Sequence, residues 1–386
     1  MSSNTYLDYC ATTPVHPDVR AAMLSAMEVD FGNPSSMHWA GRRAVQLLNA
    51  ARLEAALSLG CDSSEIIFTS GATEADNLAL FGVLRRHAPG HAHLITTSIE
   101  HHAILHAAAQ LEHEGYAVTV LPVNRQGQVD PQAVRAAIRN NTVLVSVMLV
   151  NNESGAIQPV KEIGAIAHEH GILMHTDAVQ AMGLLDVDVQ ALNADLLSLS
   201  AHKIYGPKGI GGLYVRKSVE LTPMVFGGPQ ERSLRAGTEN VPGIVGLGAA
   251  LRLTRTHKAA ERERLGALRA WFIAELASRV PGVVINGPEE AVAAHVVSMS
   301  FPDSDGEMML IRLNAEGIAV SLGSACNSKS IEPSHVLTAM GLPREHIEGS
   351  LRVSMGYPTT QADLDRFLQV IPGVVERVLA AKQAVD

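Results

Sequence analysis

Apolar and polar positions alternate through the middle of the chain in a way that predicts strands and helices in turn. Residues 65–69 read as a strand that runs through Ser70-Gly-Ala-Thr73 into a helical stretch over 74–87. A strand over 93–98 precedes a helix over about 103–114, and residues 117–123 are apolar again before the turn signal Asn124-Arg-Gln-Gly127. Residues 142–150 form an unbroken apolar strand, 160–170 a helix, and 172–175 and 195–200 two further strands. Such alternation predicts a parallel sheet with helices on both faces. Ligands in sheets of this kind bind beyond the carboxyl ends of the strands. Thr73, His101, Asn152, Asp177 and Lys203 each follow one of these apolar strands, so one sheet edge gathers them. From about Glu261 the pattern shifts to helix, strand, helix, strand and a closing helix, which predicts a second, smaller unit. No internal repeat or low-complexity segment interrupts the chain.

Composition narrows the function classes. The 386 residues suffice for two structural domains, and 47% hydrophobic with 18% charged residues describes a globular protein. A formal charge of −9 without a basic tract argues against a nucleic-acid surface. The first residues lack the basic-then-apolar order of a signal peptide, and the apolar run near 143–150 is far too short to span a bilayer. Three separated cysteines, Cys10, Cys61 and Cys326, form no paired metal motif and suit a reducing compartment, so the expected location is cytoplasmic.

The candidate chemistry centres on Lys203. Its run, Ser198-Leu-Ser-Ala-His-Lys203-Ile-Tyr-Gly-Pro207, ends a buried strand in small polar groups and breaks at a Gly-Pro turn. An amine desolvated there has a lowered pKa and attacks carbonyls, the requirement for a Schiff base. Lys208, beyond the turn, is the weaker competitor. Asp177, in His175-Thr-Asp177-Ala-Val-Gln180, reads either as a buried carboxylate that holds a proton on a ligand or as a helix cap. Gly71-Ala-Thr73 opens a helix directly after a strand, a seat for phosphate. His101, His102 and His106 cluster without a metal-site spacing, so no metal is expected. Cys326 lies in Ser321-Leu-Gly-Ser-Ala-Cys326-Asn-Ser, a small, polar, glycine-containing run of loop composition.

Taken in order, these segments resemble the cysteine desulfurases of the class V aminotransferase family, in the branch with a Ser-x-Gly-Ser-Ala-Cys loop. The likeness runs from Tyr6-Leu-Asp-Tyr-Cys-Ala-Thr-Thr-Pro14 to Ser350-Leu-Arg352-Val-Ser354. It implies an α/β fold of the fold-type I pyridoxal-phosphate (PLP) transferases: a large domain with a mostly parallel central sheet and helices on both faces, and a smaller α+β domain. Residues 16–260 are expected to form the first, and 1–15 with 261–386, including the cysteine loop, the second.

By resemblance, Lys203 carries PLP, Asp177 holds the ring nitrogen protonated and Gln180 bonds the phenolic oxygen. Thr73, Ser200 and His202 bind the phosphate, and Thr238 reaches it across the interface of an obligate homodimer. His101 stacks on the ring, while Arg352 and Asn152 hold the substrate carboxylate. The implied reaction converts L-cysteine to L-alanine, leaving a persulfide on Cys326 for a sulfur-acceptor protein. A PLP-dependent cysteine or selenocysteine lyase, or an aminotransferase on the same fold, is the alternative. Leu322, Asn327, Ala201 and Tyr357 depart from the family pattern, and Cys10 stands near the site without an assigned role.

Overall fold

The computed structural model describes residues 4–322 and 333–383. Its strands are β1 (Thr5–Tyr6), β2 (Ile66–Thr69), β3 (His93–Thr97), β4 (Ala117–Leu121), β5 (Thr142–Ser146), β6 (Leu173–Asp177), β7 (Leu196–Ser200), β8 (Gly211–Val215), β9 (Val284–Asn286), β10 (Val296–Ser300), β11 (Ile318–Ala319) and β12 (Ser350–Ser354). The helices are α1 (Pro17–Glu28), α2 (Trp39–Leu59), α3 (Ala72–Leu84), α4 (His102–His113), α5 (Pro131–Ala137), α6 (Val160–Glu169), α7 (Val241–Arg279), α8 (Gly306–Ala315), α9 (His335–Ala339), α10 (Arg344–Glu348) and α11 (Gln361–Gln383).

Seven strands make the large sheet in the order β2-β8-β7-β6-β5-β3-β4. From β7 to β4 every neighbouring pair is parallel, whereas β8 runs antiparallel to both β7 and β2. The antiparallel return has a simple cause. Only ten residues separate Ser200 from Gly211, and a parallel crossover needs about a dozen or more. Strands β6 and β7 are buried on both faces, which is why they read as apolar runs without alternation. The apolar run after residue 142 leaves the ladder at Ser146, but it stays buried to Val150. There the Val147 and Leu149 amides donate to the carbonyls of His175 and Asp177 at the end of β6.

Two apolar clusters cover the faces of this sheet. One gathers Leu48, Leu59, Val145 and Leu197, and the other Leu78, Leu94, Ile104 and Leu213. Each such buried side chain contributes roughly 1.5–3 kcal/mol. A third cluster, around Phe272, Leu313, Leu351 and Phe367, packs the antiparallel sheet β12-β10-β9 against α8 and α11. Strand β1 pairs with β11, and Leu7 joins that third cluster, so the first residues fold with the last. Helix α7 bridges the units: Ile244, Leu247 and Leu251 pack under the large sheet, Leu265, Phe272 and Leu276 in the third cluster. The expected division at 260/261 falls inside this helix, between its two buried stretches. Among the described residues no helix is long and apolar enough to cross a membrane.

Candidate active site

The carboxyl ends of the strands open into a cleft of roughly 600 Å³. Lys203 enters it from a short 3-10 turn, Ala201–Lys203, at the end of β7. The turn is tight because Gly206 folds back on it. A Cβ at Gly206 would stand 2.7 Å from Ala201 Cβ, so only glycine fits. The N-terminal segment straps this turn down. Lys203 Nζ donates to the carbonyl of Ala11 at 2.8 Å and also to that of Cys10. The Thr13 amide and hydroxyl both donate to the His202 carbonyl, at 2.9 and 3.0 Å. Burial lowers the Lys203 pKa, and the neighbouring Arg352 lowers it further, against the pull of Cys10, Asp8 and Asp177. A larger share of this amine is therefore neutral and nucleophilic. Lys208 also lines the cleft, but it is exposed.

Asp177 ends β6 and is buried, with Oδ1 accepting the Val179 amide at 2.9 Å. Burial pushes its pKa up to about 6, although the Val179 amide and Lys203 both pull it down. Gln180 donates from Nε2 to the Cys10 carbonyl at 3.0 Å. Helix α3 begins at Gly71, which gives its first turn no side-chain cap. Those backbone N–H groups face the cleft with Ser70, Thr73 and Ser200 around them, as an anion site requires. Gly211 permits this arrangement, since a Cβ there would lie 2.7 Å from the Gly71 carbonyl carbon. An uncapped helix start, a buried carboxylate and a desolvated amine on one cleft fit a phosphate-bearing, cationic-ring aldehyde. His202, bonded through Nδ1 to the Thr12 hydroxyl at 3.2 Å, is kept neutral by burial, with a pKa near 4.

His101 caps α4: its Nδ1 accepts the Ala103 amide at 3.1 Å. Burial, then Lys203 and the neighbouring histidines, lower its pKa to about 4. The ring is thus neutral, and the occupied Nδ1 places its proton on Nε2. His102 packs between His106 and His335, with ring centroids 4.9 and 4.7 Å away. Arg352, in β12, is buried and donates to Asp8 Oδ1 at 2.7 Å and to the Asn152 carbonyl at 2.9 Å. The main chain of Asn152, not its amide, is what meets Arg352.

Thr238 is the described residue from the sequence set that stands apart. It is exposed and lines a separate depression with Phe31 and Asn33. Cys326 and Asn327 lie outside the described residues. Sequence reasoning missed the layer beneath the cleft, where Asp76, Glu100 and His175 are all buried. His175 bonds Ser146 Oγ at 2.8 Å and Ser198 Oγ at 3.0 Å, with Asp76 Oδ1 3.7 Å away. Its burial pushes its pKa down to about 3. Glu153, buried beside Arg352, accepts from the Ser334 hydroxyl that caps α9, and burial raises its pKa. Asp8 and Glu153 adjoin recognised motifs, but only the folded chain, which sets the half-buried Asp8 and the buried Glu153 beside Arg352, gives them a role.

Glu100 yields a test of this layer. It accepts from the Thr97 hydroxyl at 2.6 Å and from the Met148 amide at 3.0 Å, yet burial pushes its pKa up to about 8. Its folded pKa lies above the ordinary 4.5, so the unfolded chain releases this proton first as pH rises. Its stabilising contribution is full below that ordinary value and lost as pH climbs through the folded one. Thermal melts of Glu100→Gln and the unchanged chain are therefore expected to diverge between about pH 5 and about pH 8, the variant gaining relative stability. A difference independent of pH would show that Glu100 ionises normally.

The Aminotransferase class-V family matches residues 5–367. A protein named cysteine desulfurase IscS from Methanosarcina thermophila is 50% identical over 97% of this chain and 92% of its own length. Among solved structures, a NifS-like protein superposes with a TM-score of 0.92 at 36% identity, covering 97% of this chain and all of that one. A structure titled SspA in complex with cysteine gives a TM-score of 0.81 at 40% identity, over 91% of this chain and 98% of its own. A family match over residues 5–367, relatives that align along nearly the whole length and the shared fold leave one conclusion, that the chain belongs to the class V aminotransferase family.

Proposed function

We propose that this chain is a PLP-dependent cysteine desulfurase that converts L-cysteine to L-alanine and forms a persulfide on Cys326. The observation that carries the reading is convergence: Lys203, Asp177, Gln180, Asn152 and Arg352 line one cleft. The relatives' names supply the substrate, and the family is PLP-dependent. Lys203 would carry PLP, Asp177 would hold its ring nitrogen, Gln180 its phenolic oxygen, and Thr73, Ser200, His202 and the α3 amides its phosphate. When bound, PLP supplies an electron sink for the bonds at the substrate's α-carbon.

The chain's own groups do the remaining work. Arg352 binds the substrate carboxylate, and the neutral His101 ring presents its Nε2 proton to the cleft. Lys203, once free as an amine, takes the α-proton and returns one to the product. The Cys326 thiolate attacks the substrate sulfur; an S–S bond forms, the Cβ–S bond breaks, and the Cβ carbon is protonated on the way to alanine. The chain on either side of residues 323–332 is tied to the cleft, which supports this role. Ser321 exchanges both backbone hydrogen bonds with Arg352, and His335 lines the cleft.

The same reading includes a homodimer, a sulfur-acceptor protein and a cytoplasmic location, with residues 16–260 as the cofactor domain and 1–15 plus 261–386 as the smaller one. Thr238 would then serve the partner's site. Its exposure, beside Phe31 at 72% exposed, is what an uncovered dimer face would show. The test is alanine formed from L-cysteine by the PLP-loaded protein with a thiol reductant. Cys326→Ala is expected to lower the rate by about a hundredfold, within the range of a lost nucleophile. Equal rates would point to a lyase, and no alanine from either would remove L-cysteine as substrate.

A further inference from the structure

Three consecutive residues, Glu231, Arg232 and Ser233, hold left-handed backbone angles, with φ of 45°, 58° and 62°. In that region the Cβ crowds the following carbonyl oxygen, so residues other than glycine enter it singly and rarely. A run of three persists only where its surroundings fix it. Glu231 does the fixing. It is 8% exposed, and its carboxylate accepts from Arg52 Nη1 and Nη2 at 3.0 and 2.6 Å and from the Phe68 amide at 2.9 Å. The Arg52 guanidinium lies over the Phe68 ring, 4.6 Å from its centroid. The turn is thus fastened to β2, the strand that runs into Gly71 and α3. A few residues on, Arg235 Nε donates to Glu74 Oε1 at 2.9 Å, and Glu74 Oε2 accepts the Ser70 amide at 2.8 Å. Gln230 Oε1 accepts the Gly237 amide at 3.1 Å, which closes the loop just before Thr238.

We propose that Glu231 and Arg235 are positioning residues for the cofactor's phosphate, a role that takes the PLP reading as its basis. Neither lines the cleft. Glu231 sets the left-handed turn, and the turn fixes the direction in which Arg235 and Thr238 leave it. Arg235 then meets Glu74, an acid in the first turn of α3 that does line the cleft. An unpaired carboxylate there would repel a phosphate at the same helix start. Burial would raise the Glu74 pKa, but Ser70 and Arg235 hold it below its ordinary value, so the charge persists and needs its partner. The paired Glu74 also fixes the Ser70 amide at the entry to the uncapped turn. On its other side the loop presents Thr238, the residue given to the partner's site. One buried carboxylate thus sets both halves of the phosphate grip.

The full-length protein is reconstituted with PLP and, separately, with pyridoxal, which lacks the phosphate, and each affinity is read from the visible absorbance. The unchanged chain is expected to prefer PLP strongly. Glu231→Gln should lose about tenfold or more in PLP affinity, the size of a hydrogen bond to a charged group. Its affinity for pyridoxal should hold. Arg235→Gln should narrow the preference too, and the double variant should lose less than the two separate factors multiplied, because both act through one loop. Melting temperature is followed alongside, since a clamp that served the fold alone would lower it and weaken both ligands equally. Equal losses for the two ligands, or a preference for PLP that both variants keep, overturn the proposal. Where circular dichroism shows Glu231→Gln unfolded, Arg235→Gln decides alone: its side chain is partly exposed, and a kept preference there refutes the proposal. An unchanged chain without preference for PLP overturns the phosphate seat at α3, and the proposal falls with it.

Discussion

Lys203→Ala is expected to reduce alanine formation by about 10⁴-fold or more, because one residue supplies both the carbonyl-attacking amine and the proton-transfer group. The fold should survive. The amine's acceptors are the carbonyls of Cys10 and Ala11, and removing a partly desolvated cation relieves as much as the two lost hydrogen bonds contribute. Borohydride makes an imine permanent, so treatment of the PLP-loaded protein should add the reduced cofactor's mass to the Lys203 peptide. The variant should gain none. Lys208→Ala is the control: it lies past Gly206 and is exposed, and its loss should leave both labelling and rate near those of the unchanged chain. Labelling at Lys208, or undiminished labelling of Lys203→Ala, would overturn the assignment.

How far this site was legible in the sequence depended on whether its signal was local. Lys203 was legible because a buried strand, two small polar residues and a Gly-Pro break stand side by side. The α3 start at Gly71 was legible for the same reason. Strand β8 was not drawn, since three of the four residues before Leu213 are glycines (Gly209, Gly211 and Gly212) and carry little apolar pattern; its direction follows from the short connection. The layer of Asp76, Glu100 and His175 left no mark, because burial of a polar side chain is a property of the whole sheet. Cys10 shows both sides. Its place near the site was readable from the motif, but its carbonyl accepts from Gln180 and Lys203, 170 and 193 residues away, and only the folded chain brings them together.

Arg352→Ala is the second large effect, and it separates binding of the substrate carboxylate from the rest of the chemistry. The guanidinium is 2% exposed and shares its donors between Asp8 and the Asn152 carbonyl. Truncating one partner of a buried, hydrogen-bonded charge pair costs about 2–5 kcal/mol, which is roughly thirty- to several-thousandfold in kcat/KM at 1.4 kcal/mol per factor of ten. Part of the cost falls on the fold, since Asp8 loses its ion pair and buried Glu153 loses the Arg352 charge that favours its ionised form; a lower melting temperature should accompany the kinetic loss. Arg352→Lys should recover some of both, keeping the charge without the planar fork. The discriminating readout is the ratio of activity on L-cysteine to activity on L-cysteinamide, which lacks the carboxylate. The unchanged protein should strongly prefer the acid, and Arg352→Ala should lose that preference while its activity on the amide changes far less. A preference that survives the substitution would mean that another group binds the carboxylate, with Arg352 holding only Asp8 and the strand beneath it.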